Sequence, residues 1–208
     1  MTESNPPQNP QGDDKPIVSS YQHQPVTARV PEKISRGVYS TGQLILDTPK
    51  EFIVDFLHGL TRPHQIVSRV VMIPQTMQEF ATALKANIDN YTRNFGPPPQ
   101  LPIPPNPPRP TIQEIYENYK LPEELQSGVY CNSVLIGHSP SEFFFDFITS
   151  FYPTPSVASR VFITAGQAPR FLNTLTSALQ QYQQRYLRQP PPDQQPPPIQ
   201  PPPNPFQG

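Results

Sequence analysis

The chain has 208 residues, among them 33 prolines and 9 glycines, and its 15 basic and 16 acidic side chains leave a formal net charge of -1. So even a balance gives no electrostatic pull toward phosphates or anionic lipid, which sets aside nucleic acid and membrane surfaces as default partners. The single Cys131 excludes an intramolecular disulfide and a cysteine cage for a metal.

Proline lacks the N–H that helices and sheets need, so 33 of them must be segregated. Six fall in residues 1–31, nine in 96–110 and ten in 189–208. The layout this implies is a disordered arm (1–28), a first folded unit (29–95), a proline-rich linker (96–110), a second unit (111–188) and a disordered tail (189–208). The start lacks the basic and apolar regions of a leader, and no apolar run approaches the roughly 20 residues needed to span a bilayer. A soluble, cytoplasmic protein is expected.

In the first unit, residues 38–46 and 52–57 are rich in β-branched, aliphatic and aromatic side chains and flank Thr48-Pro49-Lys50-Glu51, in which proline presets the turn. This predicts a hairpin. Ile66 to Ile73 alternates, with Ile66, Val70 and Met72 on one face and Arg69 on the other, as a third strand does. Met77, Phe80, Ala81, Leu84, Ile88, Tyr91 and Phe95 then recur at steps of three and four, the period of an amphipathic helix of about 20 residues. The linker GPPPQLPIPPNPPRP reads as an extended polyproline spacer of about 45 Å. TIQEIYENYK follows as a short helix capped by Thr111, with Ile112, Ile115, Tyr116 and Tyr119 on one face; with no counterpart before the first unit, it is expected to cover surface on one unit and break the pseudo-symmetry.

The second unit repeats the first. Sliding the chain by 91 positions aligns residues 31–95 with 122–186 without a gap. Tyr39 then meets Tyr130, Glu51 meets Glu142, Phe52 meets Phe143, Asp55 meets Asp146, Ser68 meets Ser159 and Arg69 meets Arg160. The expected fold is α+β: two tandem β-β-β-α repeats, each an antiparallel sheet with one long amphipathic helix. A three-stranded sheet with one helix leaves edges and a face uncovered, so the two are expected to pair as an intramolecular pseudo-dimer.

GVYCNSVLIGHSPSEFFFDF, then SRVFI and a helix closing near Tyr182, resembles the small bacterial and archaeal family catalogued as domain of unknown function 3467. The resemblance covers most of residues 31–187. Only the second copy keeps the family's asparagine, Asn132, where the first has Thr41. The resemblance implies that single-domain members self-associate and that this tandem form is a covalent pseudo-dimer. It implies no activity.

Asp55 with Arg69, and Asp146 with Arg160, are the repeated charges most suggestive of an interaction site. The plainer expectation is an exposed cross-strand ion pair worth well under about 1 kcal/mol. Glu51 and Glu142 are expected to satisfy their turns. His23, His58, His64 and His138 do not recur between copies, and none has ligand spacing. Cys131, equivalent to Ser40, reads as a half-buried strand residue. With no phosphate loop, nucleophile motif or paired carboxylates, neither an enzyme nor a cofactor is expected. The aromatic run Phe143-Phe144-Phe145 with Phe147 raises a single-strand nucleic-acid reading, but adjacent strand residues face opposite ways, so at least two belong to the core. The tail reads as a solubilising spacer or a polyproline ligand. The preferred reading is a non-enzymatic interaction protein with an unidentified protein partner and room for further self-association.

Overall fold

The computed structural model describes residues 28–102, 110–151 and 153–187. The expected disordered arms lie outside these residues. The first repeat runs α1 (Glu32–Ser35), β1 (Val38–Tyr39), β2 (Gly42–Asp47), β3 (Phe52–His58), β4 (Gln65–Met72) and α2 (Pro74–Phe95). The second runs α3 (Ile112–Asn118), a 3-10 turn at Glu123–Leu125, β5 (Val129–Tyr130), β6 (Ser133–His138), β7 (Glu142–Thr149), β8 (Ser156–Thr164), a 3-10 turn at Ala165–Gln167 and α4 (Ala168–Tyr182). The fold is mixed α+β, built on two four-stranded sheets.

The predicted first strand, 38–46, is two strands. β2 pairs antiparallel with β3 as the hairpin requires, from Gly42 opposite Leu57 to Asp47 opposite Phe52. β1 instead leaves its own repeat and runs parallel to β8, with Val38 opposite Val161. β5 does the same to β4, with Val129 opposite Val70. Each sheet therefore has three antiparallel strands from one repeat and a parallel edge strand from the other, in the orders β2-β3-β4-β5 and β1-β8-β7-β6. The gain is physical: β4 and β8 would otherwise present unpaired N–H and C=O groups. The break is made at Ser40, whose hydroxyl donates to the carbonyls of Gly42 and Leu57 while its N–H reaches across to the carbonyl of Phe162.

The chain enters each exchanged strand through a glycine in the left-handed region, Gly37 at φ 64° and Gly128 at φ 66°. Both are pressed against the other repeat's arginine. A Cβ on Gly37 would lie 2.8 Å from Cγ of Arg160, and one on Gly128 2.8 Å from Cγ of Arg69. Only glycine combines this backbone with so close an approach.

Pro74 opens α2, where its missing N–H costs nothing, and Gly96 closes it. The predicted helical stripe is buried from Met77 to Tyr91, with Ile88 half-buried, but Phe95 is 47% exposed. The helices lie beside each other, α2 also against β6 and α4 against β2, so each helix covers the hairpin of the opposite repeat. One continuous core results. Phe56 meets Phe147 at 5.5 Å between ring centroids, and Phe80 meets Phe171 at 5.6 Å. Phe143, Phe145 and Phe147 are fully buried, while Phe144 faces the outside of its sheet, half-buried. No helix among the described residues is long and apolar enough to cross a membrane.

The linker is not free where it leaves α2. The Pro99 carbonyl lies 2.7 Å from where a Cβ on Gly166 would be, and Arg170 donates to the carbonyls of Leu101 and Pro102. The spacer thus begins by lying along the start of the second repeat's helical region.

Candidate interaction site

The Thr/Ser-Pro-x-Glu turns are closed locally. The Thr48 hydroxyl accepts the N–H groups of Lys50 and Glu51 and donates to the Glu51 carboxylate at 2.8 Å; Ser139 does the same with Ser141 and Glu142, donating at 2.7 Å. This leaves the proline carbonyls pointing outward, and each accepts a hydroxyl from the other repeat. Tyr91 of α2 donates to Pro140 at 2.7 Å, and Tyr182 of α4 to Pro49 at 2.9 Å. The same tyrosine rings pack on the other repeat's strand phenylalanine, Tyr91 on Phe143 and Tyr182 on Phe52.

Asp55 and Arg69 face each other across β3 and β4, as Asp146 and Arg160 do across β7 and β8. Each arginine grips its aspartate with two nitrogens, Nε and Nη2, at 2.7 and 2.8 Å in the first repeat and 2.6 and 2.7 Å in the second. The pairs are not exposed as expected. Side-chain exposure is 13% for Arg69 and 0% for Asp55, and 22% and 7% for Arg160 and Asp146. The chain leading into each exchanged strand reaches these pairs. Nη1 of Arg69 donates to the Gln126 carbonyl and Nη1 of Arg160 to that of Ser35, each just ahead of the glycine that packs on the arginine stem. The bond to aspartate raises both guanidinium pKa values above their ordinary range.

The first pair has a third member. Tyr116 of α3 donates its hydroxyl to Asp55 Oδ2 at 2.6 Å and accepts from Arg69 Nη2 at 2.8 Å. Burial first, then the bond to Asp55, pushes its phenol up to about 12. α3 is held in place by a full capping box between Thr111 and Glu114.

Between the repeats, where their equivalent residues meet, Ser68 and Ser159 share a buried hydrogen bond of 2.8 Å. Beside it opens a cleft of about 220 Å³ built from both repeats: Val67, Arg69 and Val129 with Ala158, Arg160 and Val38, and the equivalent residues Ile34 and Leu125. Lys33, Gly37, Ser68 and Ser159 complete it. The lining is mainly aliphatic, and the arginine heads are bound to their aspartates. Such a cleft can take an apolar side chain of a partner.

The other candidates fall into plainer roles. Cys131 is not a half-buried strand residue: it is fully buried between β5 and β6, and desolvation pushes its thiol up to about 12. Tyr39 and Tyr130 stand at the surface, Tyr39 edge-on to His58 and Tyr130 stacked on Phe151 with rings 8° from parallel. His138 sits among Tyr91, Phe95 and Phe143, with its Nδ1 buried and without a hydrogen bond. His23 lies outside the described residues. No group of three or more potential metal ligands occurs among the described residues. The short helix expected to cover one unit lies over the first ion pair through Tyr116, a contact the sequence reading did not assign. The exchange of β1 and β5 had no counterpart there, and the repeated Gly37 and Gly128 were its only visible trace.

A family model described as Protein of unknown function (DUF3467) matches residues 3–101 and again residues 102–188. No curated protein matches the chain.

Proposed function

The chain belongs to the DUF3467 family, carrying its domain twice, and from that premise we propose that the two copies work as one intramolecular pseudo-dimer that holds a protein partner in the cleft between them. In this reading it is a cytoplasmic scaffold or interaction protein, not an enzyme, and its proline-rich tail is a spacer. The observation that carries it is the shared cleft: neither repeat alone supplies both walls, and its walls are mainly aliphatic. The commitment of Arg69 and Arg160 to buried aspartates supports a protein partner over a phosphate backbone, which needs available cations.

One observation favours a second reading. Tyr130 and Phe151 form a stacked aromatic surface, 39% and 55% exposed, on which a single-stranded base could stack. The two separate in one experiment. Tagged protein is recovered from its own cells with and without nuclease, beside an Ala158→Arg variant that fills the cleft. The cleft reading expects a protein partner that survives nuclease and falls at least tenfold with the variant. A partner that vanishes with nuclease and ignores the variant would replace it with the nucleic-acid reading.

A further inference from the structure

The two repeats enter their sheets in the same way but are not covered in the same way. Upstream of β5 the chain runs beside β4: Lys120 receives the N–H of Ile66 on its carbonyl and donates its own N–H to His64. Upstream of β1, Arg29 does this on β8, receiving the N–H of Val157 and donating to Pro155. Each track therefore runs along the edge of the adjoining sheet, at the end of the chain that precedes it. On the first sheet that preceding chain is α3, and Tyr116, four residues before Lys120, completes the Asp55–Arg69 pair.

On the second sheet no described residue takes the place of Tyr116. Among the described residues Arg160 Nη2 bonds Asp146 and no hydroxyl, and the pair is the more open of the two. Beside it lies an aromatic surface the first sheet lacks. Phe144 and Phe162, where the first repeat has Ile53 and Val71, lie with ring centroids 6.1 Å apart, and the Arg160 guanidinium stands 5.8 Å above the Phe144 ring. With His138 they border a cavity of about 290 Å³.

We propose that this surface is the seat of the chain's own N-terminal segment, residues 16–27, which folds over Asp146, Arg160, Phe144 and Phe162 as α3 folds over Asp55 and Arg69. Three observations select this occupant. The track at Arg29 runs on the edge of the sheet that carries this face, and Ala28 is the first residue described. The segment PIVSSYQHQPVT contains no Asp, Glu, Lys or Arg, and it carries Ile17, Val18, Tyr21, Pro25 and Val26 for the aromatic rings of a face whose ion pair is internally neutral and whose further carboxylate, Glu142 at the cavity's border, is bound by the Ser139 hydroxyl. The family match begins at residue 3, so this segment lies inside the recurring unit, as α3 lies inside the second match.

The test places the photoreactive amino acid benzoylphenylalanine at position 144 of the full chain at low micromolar concentration, followed by irradiation and peptide mapping. The expected product is a monomer cross-linked mainly to residues 16–27. Tyr21→Ser combined with Val26→Ser should reduce that adduct at least fivefold while Cys131 stays closed to thiol reagents, which shows that the core is intact. Cross-links to a second copy, to residues beyond 187 or to no peptide overturn the proposal, as does an adduct unchanged by the double substitution. Should the double variant expose Cys131, the site of the adduct in the otherwise unaltered chain decides alone.

Discussion

Arg69 and Lys85 each hold an aspartate at hydrogen-bonding distance, 2.7 and 2.8 Å, but only the first pair is out of water. Lys85 and Asp89 are 68% and 59% exposed, so Lys85→Ala should change stability by less than about 0.5 kcal/mol. Arg69→Ala strands Asp55, Tyr116 and the Gln126 carbonyl, and chemical denaturation should show a loss of about 3 kcal/mol or more. Arg160→Ala, with a more open pair, should lose less but still above about 2 kcal/mol. Tyr116 adds a pH signature. Its phenol keeps its proton in the folded chain above the ordinary value of 10, up to about 12. Its contribution to stability is therefore complete below pH 10 and is lost as pH rises from 10 to about 12. An ultraviolet titration should show a late-ionising tyrosine that Tyr116→Phe removes. The sequence marked the two ion pairs through their repetition. It could not show their burial, because what covers them is Tyr116 and the approach to the exchanged strands, far away in the chain.

At the scale of elements, the hairpins and helices were legible because their signals are local. A Thr-Pro-Lys-Glu or Ser-Pro-Ser-Glu turn between apolar runs, and a stripe from Met77 to Tyr91, need nothing from elsewhere in the chain. The exchange of β1 and β5 was illegible for the converse reason. Val38-Tyr39 runs into Gly42–Asp47 as one β-prone stretch, and pairing partners leave no period in a sequence. The repeated glycines and tyrosines carry the information only once the repeats are seen together. Gly37→Ala, which forces a Cβ against Arg160 at positive φ, should cost above about 2 kcal/mol by denaturation, the strained backbone alone accounting for about 1–2. Tyr91→Phe and Tyr182→Phe each remove one hydroxyl bond to the other repeat's turn and should each cost about 1 kcal/mol. Because the two bonds join different helices to different turns, the double variant should lose about the sum.

Across the whole molecule, many of the features that recur every 91 residues are those at which the repeats touch. Ser68 bonds Ser159, Gly37 packs on Arg160 and Gly128 on Arg69, and each helix tyrosine reaches the opposite proline. A single repeat would leave the edge of β4 or β8 unpaired and half of one phenylalanine core in water. Two repeats in one chain hold each other at a high effective concentration, and the cleft between them exists only in the pair. The most direct test of that claim is to insert a protease site within residues 103–109, cut it to completion and measure size and unfolding at low micromolar concentration. The exchanged-strand account predicts that the two fragments co-elute at the size of the uncut protein and unfold in a single transition. Two separate, stably folded monomeric halves would contradict it.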